Sequence, residues 1–418
     1  MKYYKIRFRL ASPLAVSSGE NSHTDSDIIL DSRGQPMIPA TSLAGAIRHY
    51  LGHEGNSHLF GFVTETEAFE SKLRFYDAKA VSDSFITIRD STALKEEEKV
   101  CLDMAKFDKE AVETNAEFLT LIESDNTDDD EEEALLNALA AIHAGQLRIG
   151  SKSSRGYGQL EIVRIQRAVF CLPEEKKDWL DFEPYDWDSD AHYTDITEEI
   201  QTRQPEPRFT SISLKLRQCG AVSIRSYTVK NQKDARTGDI SEADYIQLST
   251  NDGVPVIPGT SWAGAFRQRF REFVNADKEF MRKVWGFVDT KEETQQKSNI
   301  YFSESRLQDG TFKLITRNAI DRFSARTKEH ALYKEKTYYH GTCSLMIHIR
   351  NDESYLERCL KTLCAVICDF DGGYQAVGGM TSVGRGLFSV EEITINGTDV
   401  TDAMRKRDIS AMTGGVFA

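Results

Sequence analysis

The chain repeats itself. PMIPATSLAGAIRHYL from Pro36 matches PVIPGTSWAGAFRQRF from Pro255 at identical spacing, and self-similarity on that scale calls for a tandem of like units before any single element is assigned. Further echoes run in the same order through both halves. An alternating segment at 4–10 returns at 212–217, each a half-buried strand with basic residues on one face. Leu59-Phe60-Gly61-Phe62-Val63 returns as Val284-Trp285-Gly286-Phe287-Val288, followed in both copies by a polar insertion and a short strand at 73–76 or 300–302. A long polar segment then ends in KFDKEAVETNAEFLTLIE from Lys106 and LYKEKTYYHGTCSLMIHI from Leu332, each a turn into an alternating strand. Helical spacing follows at 131–144 and 355–370. Each copy closes on a glycine-rich loop and a strand, with Gly150, Gly156 and Gly158 aligned to Gly378, Gly384 and Gly386.

Strand, helix, strand, insertion, strand, helix, strand is the βαββαβ order of ferredoxin-like and RRM-like folds, so the sequence predicts an α+β protein with two such domains. They cover 1–172 and 209–418 and are joined by an acidic linker at 173–208. A chain of 418 residues, 40% apolar and 28% charged, can bury two ordinary cores. No stretch nears the roughly 18 apolar residues of a membrane span. Residues 1–7 open a strand in place of a targeting peptide, which predicts a cytoplasmic protein with no membrane contact. Seven cysteines without a CxxC pair suit a reducing compartment and read as core thiols, Cys359, Cys364 and Cys368 sharing one helix. The net charge of −14 sits badly with nucleic-acid binding, which runs on Lys and Arg. Much of the acid is gathered into 128–133 and 174–199 while cations recur beside the glycine turns, so the total weakens that class without excluding it.

In the duplicated segment the proline ends a strand. Thr41 or Thr260, or the adjoining Ser42 or Ser261, is placed to cap a helix whose N-terminus makes a phosphate seat. Arg48 and Arg267 fall on the helical face of Ala44/Gly45 and Ala263/Gly264. Lys152, Arg155 and Arg385 stand in glycine loops whose N–H groups can approach phosphates closely. The plain alternatives are a tight strand connection for the loops and a solvated or salt-bridged face for the helix arginines. No GxxxxGK[ST] is present, so nucleotide hydrolysis is unsupported, and the histidines show no HExxH spacing.

The pattern IPxTSxxGxxR near the start of a ferredoxin-like unit closed by a glycine loop resembles the RAMP superfamily of CRISPR proteins. Each half is similar to the Csm/Cmr-like backbone subunit of type III effectors, which polymerises along the guide RNA, and the fusion of two is similar to the type III-D and III-E branch. The resemblance covers nearly the whole chain apart from the linker and an acidic insert. It implies thumb-like hairpins that pass through the guide–target duplex, here at 87–106 and 317–332, the latter with Arg317 and Arg322. It implies a loop aspartate that cuts target RNA once per subunit with a divalent metal, Mg2+ or another. Asp25 and Asp244 match, since both stand 14 residues before an aligned proline, Pro39 or Pro258. Such a carboxylate can align the RNA 2′-hydroxyl or hold the metal. They can equally be solvated loop acids, with Asp27, Asp31 and Glu242 close enough to compete and His23 as a neighbour.

The implied partners are a crRNA guide, complementary single-stranded target RNA, other RAMP subunits and a large polymerase-like subunit, in antiviral defence. Two readings stay open beside target cleavage. One is a non-catalytic RNA-binding scaffold. The other is a stand-alone crRNA-processing endoribonuclease, against which the glycine loop in each half argues.

Overall fold

In the computed structural model, which describes all residues except 20–23, 53–56, 64–65, 82–83, 95–100, 227–242, 290–292 and 418, the first alternating segment forms the strand Lys2–Leu10. Tyr4, Ile6, Phe8 and Leu10 fall on one face, as a period of two requires, and all four are buried. The strand runs antiparallel between Glu117–Ser124 and Leu160–Val169, and Leu73–Phe75 pairs beyond Glu117–Ser124. The helices Ala40–Leu51 and Asp129–His143 connect these strands and bury Leu43, Ile47, Leu136 and Leu139 against the same face. The acidic block has a local purpose here. The Asp128 carboxylate accepts the Glu131 N–H at 2.9 Å and Glu131 accepts the Asp128 N–H at 3.0 Å, a capping box with acids at the positive end of the helix.

Compact packing groups Met1–Arg89, Phe107–Ser153 and Tyr157–Pro207 into one unit, and Asp90–Lys106, Ser154–Gly156 and Arg208–Ala418 into another. The segment read from sequence as the linker 173–208 is thus folded into the first unit as far as Pro207. Thr194–Asp195 pairs with Leu160–Val169, and Ile196 and Ile200 enter the core. Trp179 and Phe182 cover Tyr3 on the far face of the sheet, with the Trp179 indole N–H donating to the Tyr3 hydroxyl at 2.8 Å. Lys5, expected on a basic solvent face, is buried there, and its ammonium donates to the carbonyls of Asp186 and Ser189 at 3.0 and 2.8 Å.

The second unit repeats the strand order. Phe209–Gln218 lies antiparallel between Thr342–Arg350 and Phe388–Ile395, with Ile300–Phe302 outside Thr342–Arg350. Even an irregularity is duplicated: the central strand shifts register between Arg7 and Phe8 in one copy and between Lys215 and Leu216 in the other. The core is more aromatic, with Trp262, Phe266, Phe270, Phe302, Phe370 and Phe388 all buried under the helices Gly259–Phe273 and Leu356–Asp371. Its far face carries exposed Lys215–Glu392 and Arg217–Glu391 ion pairs at 2.6 and 2.5 Å.

Two local expectations need correction. The duplicated helices Ala40–Leu51 and Gly259–Phe273 have Pro39 and Pro258 as their capping positions, with no side-chain cap; Thr41, Ser42, Thr260 and Ser261 lie inside the first turn. Proline suits that entry because its fixed φ and missing N–H cost a helix nothing there. Among the cysteines, Cys343, Cys359, Cys364 and Cys368 are buried, but Cys171 and Cys219 are exposed, since both sit just past strand ends.

Candidate nucleic-acid interface

Asp25 and Asp244 occupy one position in the repeat. The Asp25 carboxylate accepts the Asp108 N–H at 2.9 Å, and the Asp108 carboxylate accepts the Asp25 N–H at 3.1 Å. The Asp244 carboxylate accepts the Lys334 N–H at 2.8 Å, and the Asp244 N–H donates to the Lys334 carbonyl at 2.8 Å. Asp108 and Lys334 are aligned residues of the two copies. Each aspartate therefore ties the loop after the central strand to the foot of the hairpin that follows.

In the second copy that hairpin is long, Thr311–Ile320 against Thr327–Tyr339. In the first copy Ile86–Ile88 pairs with Glu110–Val112, and Ser91–Leu94 pairs with Cys101–Phe107. The competing acids do other work. Buried Asp27 accepts the N–H and hydroxyl of Thr24 at 2.8 and 2.9 Å. Asp31 closes a turn, and the Gln35 N–H bonded to it holds its carboxyl below the ordinary value. Glu242 and His23 lie outside the described residues.

The glycine loops meet the same hairpin feet. Their middle residues are Tyr157 and Arg385, and the facing residues, Lys109 and Glu335, are again aligned. In the first copy the Lys109 ammonium lies 4.8 Å from the Tyr157 ring centre. In the second, Arg385 donates to Glu335 at 2.5 Å, with the Ser223 hydroxyl also on Glu335 at 3.3 Å. Arg385, read from sequence as an RNA contact, is thus buried in an ion pair. Lys152 takes a left-handed φ of 55° and sets its ammonium 4.6 Å from the Phe107 ring, next in sequence to Asp108.

Arg48 and Thr41 are exposed and Ser42 is half-buried. An acid already sits at that helix start, where the Asp77 carboxylate accepts the Ala40 N–H at 2.7 Å. Thr260, Ser261 and Arg267 are half-buried. Arg155 is held below its ordinary pKa by its own burial and then by the Arg267 guanidinium. Arg317 is half-buried along the long hairpin and Arg322 is exposed at its end, beside Phe323, whose ring is 96% exposed. Among the described residues no group of three or more His, Cys, Asp and Glu side chains is arranged to hold a metal. The Asp25–Asp108 pair brings two carboxylates together, a set that suits Mg2+, which takes one or two carboxylates and completes its shell with water and phosphate oxygens. At Asp244 the aligned partner is Lys334 instead.

A family model for the RAMP superfamily matches residues 7–161 and 222–389, both copies of the repeat. The chain belongs to the RAMP superfamily. No curated protein matches it. RAMP membership associates the chain with CRISPR RNA-binding subunits, and among the described residues no helix is long and apolar enough to cross a membrane. Both RAMP matches begin near the first strand of a copy and end just after its glycine loop, so the segment 173–207 that covers Tyr3 and Lys5 belongs to neither. Sequence reasoning missed that cover, although Trp179, Phe182 and Tyr193 among the acids were a signal of burial. It also missed Asp108 and the residue pairs Lys109–Tyr157 and Glu335–Arg385, which are distant along the chain.

Proposed function

We propose that this RAMP protein is a guide-RNA-binding backbone subunit of a type III, Csm/Cmr-like CRISPR effector complex. In this reading its two ferredoxin-like domains carry Asp25 and Asp244 as the groups that cut complementary target RNA. The observation that carries the reading is the equivalence of the two aspartates, each bonded to the backbone at a hairpin foot beside a glycine loop. A subunit that cuts at a repeated interval needs its reactive group at the same place in every repeat. A carboxylate with one oxygen anchored on a backbone N–H has its other oxygen fixed in space, which is what alignment on a 2′-hydroxyl requires. A divalent cation supplies charge stabilisation for the departing oxygen, and in the first unit Asp25 and Asp108 would hold it.

Around these sites Lys152, Arg48, Thr41 and Ser42 in one unit, and Arg267, Thr260, Ser261, Arg317 and Arg322 in the other, supply the phosphate contacts. The hairpins are the thumbs of the guide–target duplex, in a cytoplasmic assembly with further RAMP subunits and a large polymerase-like subunit. The purified complex with its guide should cut complementary RNA at two regularly spaced positions only when a divalent cation is present. Asp25→Asn and Asp244→Asn, which keep the backbone hydrogen bond, should each erase one cut.

A second reading, a scaffold without chemistry, is favoured by one observation: both carboxylates already serve as structural anchors on backbone N–H groups, and the residue aligned with Asp108 in the second copy is Lys334. Unchanged cleavage in both variants establishes that scaffold and removes the catalytic reading.

A further inference from the structure

The helices Gly259–Phe273 and Lys278–Trp285 of the second unit line a cavity of about 660 Å3, a size that accommodates a nucleotide. Arg267 and Arg271 reach it one turn apart on the first helix and Lys278 and Arg282 one turn apart on the second, while Arg155 of the same unit completes five cations. Among the described lining residues Asp289 is the one acid, 3.6 Å from Arg282. The Arg282 guanidinium is laid over the Phe287 ring at 3.8 Å, which orients its donors. Trp285 also lines the cavity and is 3% exposed, yet its indole N–H has no hydrogen-bond partner.

A lining made of donors and positive charge, in a chain whose net charge is −14, selects an acceptor-rich anion. One of the five, Arg267, is shared with the first copy as Arg48, but others are not. Arg271 aligns with Gly52 and Arg282 with Ser57, so the cationic lining extends beyond the duplicated features assigned to guide binding, with which it shares Arg267. Five cations gathered in one place exceed what a phosphodiester, with a single charge, calls for; a terminal phosphate or polyphosphate carries about two charges or more.

We propose that this cavity binds the terminal phosphate of a nucleotide, either a free nucleoside polyphosphate or the 5′-phosphorylated end of an RNA. The full chain is titrated by calorimetry and Trp fluorescence with ATP, adenosine, and one short RNA bearing a 5′-phosphate or a 5′-hydroxyl. At least one phosphorylated probe should bind tenfold or more tighter than its unphosphorylated counterpart. ATP alone points to the free nucleotide and the RNA alone to the chain end.

The double variant Arg271→Gly/Arg282→Ser, which installs the first copy's residues, should lose at least tenfold in that affinity. Trp285→Phe, which keeps an aromatic ring in the core and removes the N–H, should stay folded with a midpoint lowered by the smaller ring and lose severalfold in affinity, and it provides the test if the double variant does not fold. Binding that ignores the phosphate, or wild-type affinity in these variants, overturns the proposal. Phosphate-dependent binding in a chain that takes no guide RNA would remove the guide-binding reading and leave this site standing.

Discussion

Glu335 and Arg385 meet at 2.5 Å with side chains only 2% and 3% exposed, joining the long hairpin strand to the glycine loop that closes the second copy. Two charges withdrawn from water depend on each other: removing Arg385 leaves Glu335 only the Ser223 hydroxyl at 3.3 Å and the Arg225 guanidinium at 3.9 Å, at a cost of about 3 kcal/mol. Arg385→Ala should therefore destabilise the second unit by about that amount. Lys215→Ala, which breaks an ion pair whose side chains are 60% and 41% exposed, should cost less than about 1 kcal/mol. Urea unfolding of the full chain followed by Trp fluorescence compares the two, and equal midpoints would mean that the pair does not hold the loop.

The glycine loops set a second test. Gly158 and Gly386 have φ of +78° and +77°, and a Cβ on either would lie 1.8 or 1.9 Å from the carbonyl oxygen of Ile149 or Val377. No rotamer relieves a clash with backbone, so Gly158→Ala and Gly386→Ala should each cost more than about 3 kcal/mol or prevent folding. Gly384 has the same sign of φ but nothing within 4 Å of such a Cβ, so Gly384→Ala should cost only the conformational strain, about 1–2 kcal/mol. Thermal unfolding of the three variants should fall into these two classes.

Acid should weaken the first unit through Glu132. Burial pushes its carboxyl up, but hydrogen bonds from Lys2 and from the Tyr4 hydroxyl outweigh that and hold it below its ordinary 4.5. A depressed folded-state pKa means that the stabilisation is present above the unfolded value and is lost as the pH falls through the folded one. Stability should therefore decline as the pH drops below about 4.5, and Glu132→Gln should flatten that part of the profile. Urea midpoints between pH 3 and 7 measure it; parallel profiles for wild type and variant would assign the acid sensitivity elsewhere.

Much of the architecture was legible because it is written twice. The alternation of Tyr4, Ile6, Phe8 and Leu10 and the matched segments at Pro36 and Pro255 identify strands and helices through periodicities that burial enforces. Alternation states which residues share a face but not what lies upon it, so Lys5 reads as solvent-facing although carbonyls from the acidic segment receive its ammonium. The same limit governs the candidate site. Spacing to the proline distinguishes Asp25 and Asp244, but Asp108 stands 83 residues from Asp25 along the chain. Arg385 reads as a phosphate ligand because its neighbours are glycines, while its partner Glu335 is 50 residues away. Contacts of that range follow from the fold and leave no local trace.

Lys109 on Tyr157 and Glu335 on Arg385 are two chemistries for one joint. An arginine grafted at 157 would confront the Lys109 ammonium, and a tyrosine grafted at 385 would take from the buried Glu335 carboxylate its close guanidinium partner. Since their duplication the halves have thus lost the freedom to trade residues singly. Drift at this joint proceeds only by concerted pairs, which keeps two sequences separate on a skeleton they hold in common.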